Sequence, residues 1–241
     1  MLVSQDTGML RGDVTKVLSG LIRDKKNRGR FKAIITSPPY FNCRNYGTNS
    51  KEIGRERTAD EYLYKLAHVF TVCKDLLTND GTLWIVIADV RDRGAKLNLP
   101  HKLVELLAAS GYYLQADIAW YKRNHISGSS KQNFTPAYES VLALSKNESS
   151  VISRRIEKID GVWDVPTKAH SGQEHFAIYP EDLVERIIRV ATKPKDYVLD
   201  PFAGRGTTGI VCAREGRRFM GIDLYSNHVK AANRNIEKME E

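Results

Sequence analysis

Two short segments hold residue types and spacings that could do chemistry. One is Asp200-Pro201-Phe202-Ala203-Gly204-Arg205-Gly206-Thr207-Thr208-Gly209, a G-x-G-x-x-G turn between an apolar strand pattern and a helical one. Glycines in that setting let the backbone approach a ligand closely and leave a helix N-terminus open to negative charge. Asp223 stands at the tip of the next strand, where an acidic side chain can take two ribose hydroxyls. The pair points to a nucleoside cofactor. There is no G-x-x-x-x-G-K followed by Ser or Thr, so a P-loop nucleotidase is unsupported. The other segment is Thr36-Ser37-Pro38-Pro39-Tyr40, directly after the apolar run FKAII. It falls where an open α/β sheet keeps its ligand crevice, and prolines there stop the strand ladder and stiffen the exit loop. Alone it reads as a stiff turn; beside the glycine-rich turn it reads as the second half of a site.

The elements that must position these segments alternate between strand and helix patterns, the signature of an α/β protein. Phe31 to Thr36 is a buried strand, and 41–57 reads as a long mobile loop with no period. Thr58, with Glu61 three residues on, opens a helix carrying Leu63, Leu66, Phe70, Cys73 and Leu77 at helical spacing. Asn79-Asp80-Gly81 is expected to end it, and Thr82 to Ala88 to form the next strand. A helix follows from about Pro100 to Ser110-Gly111. Two strands come next, Tyr112 to Tyr121 and Glu139 to Leu144, around a polar connection. Residues 145–175 read as irregular. Pro180 starts a helix. A strand at Tyr197 to Leu199, the glycine-rich turn, a helix, a strand at Arg218 to Ile222 and a last helix complete the chain. Only 18 residues follow Asp223, so the rest of the sheet has to come from earlier in the chain. That is a permuted order.

Composition agrees with one globular unit of 241 residues: 41% hydrophobic and 27% charged, which excludes a disordered or coiled-coil chain. The 37 Lys and Arg against 29 Asp and Glu give +8, a balance suited to a polyanionic partner. Cys43, Cys73 and Cys212 are odd in number, far apart and without a C-x-x-C pair, so a disulfide framework or zinc site is not expected. The N-terminus carries no signal-peptide pattern, and the longest apolar strip is too short to span a bilayer. The expectation is a cytoplasmic protein that needs no membrane and no metal.

With these segments in place the chain resembles the β group of DNA amino-methyltransferases, which use S-adenosylmethionine and carry the catalytic motif before the cofactor motif. The resemblance runs through Gly12-Asp13, TSPPYFNCRNYG, IGRERTADEY at 53–62, GTLWIVIADV, TPAYESVLALSK at 135–146, GVWDVP at 161–166, HFAIYPEDLVERII at 175–188, VLDPFAGRGTTG and RRFMGIDLY. One departure is Arg205, where the family usually has Ser. The resemblance implies a circularly permuted, Rossmann-like methyltransferase sheet in a single domain over 1–241. It also implies a small inserted recognition lobe, for which only 123–138 and 147–174 are left.

The resemblance also implies roles. Ser37 Oγ and the Pro38 carbonyl, its direction set by Pro39, would accept hydrogens from an exocyclic base amine and localise its lone pair for attack on the sulfonium methyl. Tyr40 would stack on the flipped base. Asp13 would accept from the cofactor's adenine, although an Asp that starts a helix is also a common N-cap. Asp223 would hold the ribose. Asp200, Pro201, Phe202, Gly204, Gly206, Thr207 and Thr208 would line the methionine part, with Phe176 nearby.

No cysteine follows a proline, which disfavours cytosine-C5 chemistry. Serine before Pro-Pro favours cytosine N4. Adenine N6 is the alternative, and RNA methylation a more distant one, since such enzymes usually carry their Asn- or Asp-Pro-Pro-Tyr after the cofactor motif. The intact loop argues against a cofactor sensor without catalysis. Duplex DNA is the expected partner, through Lys122, Arg123, His125 and Lys131 and through Arg44 of the 41–57 loop. A second basic stretch, Arg23 to Lys32, reads equally as phosphate contact or as a solvated face. So small a lobe implies a short target or help from a second subunit. A homodimer, a cognate restriction endonuclease and a prokaryotic or viral source fit the resemblance.

Overall fold

The computed structural model describes residues 8–42, 52–124, 137–148, 160–167 and 179–240. Its centre is an eight-stranded sheet in the order β1-β10-β9-β2-β3-β7-β6-β8. The strands are β1 (Gly8–Arg11), β2 (Phe31–Thr36), β3 (Leu77–Ile87), β6 (Tyr113–Tyr121), β7 (Tyr138–Ser145), β8 (Val162–Asp164), β9 (Tyr197–Asp200) and β10 (Arg218–Asp223). A separate two-stranded ribbon pairs β4 (Arg91–Asp92) with β5 (Ala95–Lys96). From β1 to β3 every neighbouring pair is parallel, β7 runs antiparallel between β3 and β6, and β8 is parallel to β6.

The central strands are buried on both faces, as a covered parallel sheet requires. Their side chains alternate between two cores. Ile34, Leu83, Ile85 and Leu199 pack with α1 (Val14–Arg23), α2 (Ala59–Lys74) and α3 (Leu99–Ala109). Ala33, Ile35, Trp84, Val86 and Val198 pack with α4 (Glu181–Ala191), α5 (Thr207–Arg214) and α6 (Ser226–Glu240). The described residues therefore build a three-layer α/β/α sandwich from the period-2 alternation of their strands and the apolar stripes of six helices. The C-terminal part of the chain, β9 to α6, inserts its strands between β1 and β2. This is the permuted order read from the sequence.

The local signals acted largely as expected. Thr58 caps α2 by accepting from the Glu61 N–H at 3.2 Å, and Glu61 reaches back to the Arg57 N–H at 3.1 Å. Pro180 is the N-cap of α4. Three readings change. α2 ends at Lys74, and Leu77 opens β3 instead of closing the helix. Phe31 lies opposite Leu77 and Ala33 opposite Thr82, so the intervening residues, with Asn79 and Asp80 exposed, bulge out of the ladder. The turn chemistry of Asn79-Asp80-Gly81 is thus spent within a strand. Within 145–175, Val162–Asp164 is an edge strand; its Trp163 stacks on Trp84 with ring centroids 6.4 Å apart. A three-residue strand is too short to show alternation. Ahead of β2, β1, α1 and a 3-10 turn at Lys25–Asn27 add three elements to those read from the sequence, although Val14, Val17, Leu18 and Leu21 keep helical spacing.

No helix among the described residues is long and apolar enough to cross a membrane.

Gly206 shows how tightly the glycine-rich turn is tied to this packing. Its φ is +88°, and a Cβ built there would lie 2.7 Å from Ala232 Cβ of α6. Gly206→Ala should lower the unfolding free energy by about 2 kcal/mol, from left-handed strain and overpacking together. Urea denaturation measures this, and an unshifted midpoint would show that α6 yields to the methyl group.

Candidate functional site

β9 and β2 are neighbours in the sheet although more than 160 residues separate them. Their carboxyl ends form the switch point where α/β sheets hold ligands. β9 ends at Asp200 and β2 at Thr36, so both chemical segments leave the sheet side by side. One cleft opens there. Its walls include Asp13, Ser37, Pro38, Pro39, Tyr40, Pro201, Phe202, Gly204, Thr207 and Asp223, ten of the residues picked out in the sequence.

Beneath the cleft lies Asp200, which is 1% exposed. Its carboxylate accepts from Thr36 Oγ1 at 2.6 Å, Thr208 Oγ1 at 2.6 Å, the Phe202 N–H at 3.0 Å and Tyr179 Oη at 3.3 Å. Burial pushes the Asp200 carboxyl up to about 6, against the opposing pull of the hydroxyls and the N–H that hydrogen-bond it. The Tyr179 hydroxyl also meets Thr208 Oγ1 and is pushed well above its ordinary range, first by burial and then by the Asp200 charge. Asp200, Gly206 and Thr208 were expected to line the cleft; they are not among its lining residues. Asp200 and Thr208 brace the turn from below, and Gly206 faces α6.

The other wall is braced in the same way. Asp223 accepts from the Gly204 N–H at 3.0 Å and the Tyr225 N–H at 2.8 Å, and meets His228 Nδ1 at 3.1 Å. Gly204 has φ +53°, and nothing lies within 4 Å of a Cβ built on it, so its outer side faces open space. Asp13 both lines the cleft and caps α1, accepting from the Lys16 N–H at 3.1 Å. The N-cap and cleft readings of this residue are compatible.

On the β2 side, Ser37 Oγ donates to Tyr40 Oη at 3.3 Å, and Tyr40 Oη donates to Glu139 Oε2 at 2.7 Å. Tyr62 Oη donates to the Pro39 carbonyl at 2.9 Å, which anchors the loop to α2. Burial, with the nearby Glu139 charge, raises Tyr40 well above the usual phenol range and keeps it protonated.

Of the basic residues expected to meet phosphate, Lys122 instead pairs with Glu139 and lies 4.6 Å from the Trp120 ring centroid. Its side chain is only 18% exposed. Arg123 is 68% exposed and forms a forked pair with Asp164. Phe176, Arg44, His125 and Lys131 lie outside the described residues. The Arg23 to Lys32 stretch sits at the opposite, amino-terminal end of β2. There Lys32 pairs with Asp80, and the Arg30 guanidinium lies 4.1 Å from the Tyr197 ring centroid. Arg23, Lys25, Lys26 and Arg28 of the same stretch are exposed.

Sequence reasoning missed several residues of the cleft: Val14, Glu52, Ile53, Tyr179, Tyr225 and His228. Tyr225 Oη donates to Glu52 Oε2 at 3.0 Å, joining the loop after the Ser-Pro-Pro-Tyr segment to the strand that carries Asp223. Only the position of Tyr225 and His228 just after Asp223 could have flagged any of them. Among the described residues, no group of His, Cys, Asp and Glu is arranged to hold a metal ion. Cys73 and Cys212 are buried, with thiols pushed up by burial, so neither is poised as a nucleophile.

Comparison with known proteins places the chain in a family. A family model for N6/N4 methylases, described as DNA methylase, matches residues 31–234. The type II methyltransferase M.Cfr9I of Citrobacter freundii is 34% identical over 263 residues, covering 93% of this chain and 85% of that protein. The structure of TTHA0409 of Thermus thermophilus, complexed with S-adenosyl-L-methionine, superposes with a TM-score of 0.74 at 25% identity, covering 97% of this chain and 94% of that one. The PvuII cytosine-N4-specific DNA methyltransferase superposes with a TM-score of 0.77 at 22% identity, covering 98% and 90%; at that identity the match speaks to fold.

The raised carboxyl of Asp200 has a measurable consequence. Its folded value of about 6 exceeds the ordinary 3.8, so the folded state binds the proton more tightly than the unfolded chain. The stability contributed by this group is therefore full below about pH 4 and is lost as pH rises through about 6. Asp200→Asn cannot ionise. Between about pH 4 and pH 7 the wild type should lose about 3 kcal/mol of unfolding free energy relative to that variant. Parallel pH profiles for the two proteins would contradict the assignment.

Proposed function

The chain belongs to the N6/N4 DNA methylase family, and from that premise we propose that it transfers the methyl group of S-adenosylmethionine to the exocyclic N4 amine of cytosine in duplex DNA. The carrying observation is that the Ser37-Pro38-Pro39-Tyr40 loop and the Gly204–Asp223 turn face one another across a single cleft. When bound, S-adenosylmethionine supplies a sulfonium methyl open to in-line attack by an amine.

The residues present fit such a cofactor. The open side of Gly204 leaves room for a ligand against the backbone. Asp223, already oriented by two backbone N–H groups, keeps acceptor capacity for ribose hydroxyls. Asp13 accepts from the adenine amine, while Pro201, Phe202 and Thr207 lie along the methionine part, with Phe176 assigned beside it. Asp200, Gly206 and Thr208 act one layer below, holding the turn in shape.

An exocyclic amine is a weak nucleophile because its lone pair is delocalised into the ring. Ser37 Oγ and the Pro38 carbonyl accept its hydrogens and localise that lone pair, in a geometry set beforehand by two prolines and by the Tyr62 bond to Pro39. Tyr40 presents its ring to the flipped base. Serine ahead of Pro-Pro supports cytosine N4 as the acceptor.

Arg123 remains assigned to the DNA backbone together with Arg44, His125 and Lys131, and phosphate competes with Asp164 for its guanidinium. Target reading is assigned to the 123–138 and 147–174 segments of one methyltransferase domain, with 41–57 as the loop beside the flipped base. Likeness to a type II methyltransferase suits a protein paired with a restriction endonuclease.

Nucleoside mass spectrometry after incubation with duplex DNA and S-adenosylmethionine should show N4-methylcytosine. N6-methyladenine instead would overturn the choice of base. Ser37→Ala should keep cofactor affinity and lose about 100-fold or more in turnover; a wild-type rate would remove Ser37 from catalysis. Asp223→Ala should weaken cofactor binding about 10-fold or more by calorimetry, through lost ribose contacts and a loosened Gly204. Unchanged affinity would take Asp223 out of the pocket.

A further inference from the structure

A hydroxyl has one hydrogen to donate and two lone pairs to accept with. If Ser37 Oγ is to accept a hydrogen from a base amine, its own hydrogen must point elsewhere. The structure contains a device that sends it elsewhere. Ser37 Oγ donates to Tyr40 Oη at 3.3 Å, and Tyr40 Oη donates to Glu139 Oε2 at 2.7 Å. The other oxygen of Glu139, Oε1, pairs with the Lys122 ammonium. A carboxylate paired with an ammonium can only accept. It therefore ends the chain and dictates the direction of every bond before it: the Tyr40 hydrogen points to Glu139, the Tyr40 oxygen receives the Ser37 hydrogen, and the Ser37 lone pairs are left for the cleft.

The fold supports this chain from outside the two segments that do the chemistry. Glu139 lies in β7 opposite Trp120 of β6, and Lys122 follows at the end of β6. The Glu139 side chain is 11% exposed and that of Lys122 is 18% exposed, so water competes little for either group. Without the carboxylate, Tyr40 could donate back to Ser37. The Ser37 hydrogen would then turn into the cleft, against the amine hydrogens it has to accept.

We propose that Glu139, paired with Lys122, is a positioning residue that fixes Ser37 as a hydrogen-bond acceptor through Tyr40. This inference rests on the methyl-transfer reading above, in which Ser37 touches the amine. Glu139 itself touches neither base nor cofactor and moves no proton in the reaction.

The test uses the full chain with duplex DNA and labelled S-adenosylmethionine in single-turnover and steady-state assays, with cofactor affinity by calorimetry as a check on folding. Glu139→Gln keeps the size but offers an N–H2 that can turn the chain around. It should bind cofactor within about twofold of wild type, leave KM for DNA within about threefold, and lower kcat about 10- to 100-fold. Tyr40→Phe keeps the ring and removes the relay, so adding Glu139→Gln to it should cost no more than about twofold further. In a Ser37→Ala background Glu139→Gln should likewise have no effect. The proposal is overturned if Glu139→Gln turns over within twofold of wild type, or if it slows the Tyr40→Phe or Ser37→Ala protein by the factor seen in wild type. Should Glu139→Gln fail to bind cofactor, Tyr40→Phe alone decides: a drop in kcat at unchanged cofactor affinity supports the relay, and a wild-type kcat overturns it. A wild-type rate for Ser37→Ala would instead overturn the underlying reading, whatever Glu139→Gln does.

Discussion

The site hangs on one buried carboxylate. Asp200 ends β9 and gathers hydrogen bonds from Thr36 at the end of β2, Thr208 in the first turn of α5, Tyr179 ahead of α4, and the Phe202 N–H. A carboxylate out of water is tolerated only when its lone pairs are met, so each of these partners is held where Asp200 needs it. Thr36 immediately precedes Ser37, and Thr208 lies in the helix that the glycine-rich turn opens. The Ser-Pro-Pro-Tyr and glycine-rich sides of the cleft are therefore referenced to the same two oxygens. The raised Asp200 carboxyl, near 6, is the cost of placing that joint in the core.

The same logic repeats at smaller scale around it. Asp223 links Gly204, Tyr225 and His228 and so shapes the far wall from a single side chain. Glu139 and Lys122 stand behind Tyr40. Tyr62 clamps the Pro39 carbonyl from α2. Each of these polar groups of the cleft has a partner from a different element, which is how loops at a sheet edge acquire the rigidity that the chemistry asks of them.

The charge balance also takes a different meaning in three dimensions. Several of the cations are paired within the protein, which leaves the net charge unchanged. Lys32 meets Asp80, Arg214 meets Glu181 and Glu185, and Arg189 meets Glu185 and Glu215. Exposed pairs such as those of Arg189 and Arg214 stabilise little. The Arg23 to Lys32 stretch lies at the end of β2 away from the cleft. A net charge of +8 favours a polyanion without saying which face meets it.

The alternation of apolar residues, the caps at Thr58 and Pro180 and the two glycine- and proline-marked turns were sufficient, as sequence, to indicate the α/β class and the permuted order; the family resemblance added to them pointed to ten residues that line the cleft. These are local properties: period, cap chemistry and backbone freedom act within a few residues. Tertiary structure decided what depends on distant partners. Asp200, Thr208 and Gly206 look like ligand residues in one dimension, but they face inward because β2 and α6 pack against them. Lys122 reads as a lone cation in the sequence, and β7 brings Glu139 beside it. Leu77 continues a helical stripe but starts a strand, because Phe31 offers it a ladder position. Glu52 and Tyr225 are unremarkable letters that meet only when two loops cross the same edge of the sheet. Residue type and spacing specify which groups can do chemistry; only the folded sheet specifies which way each of them points.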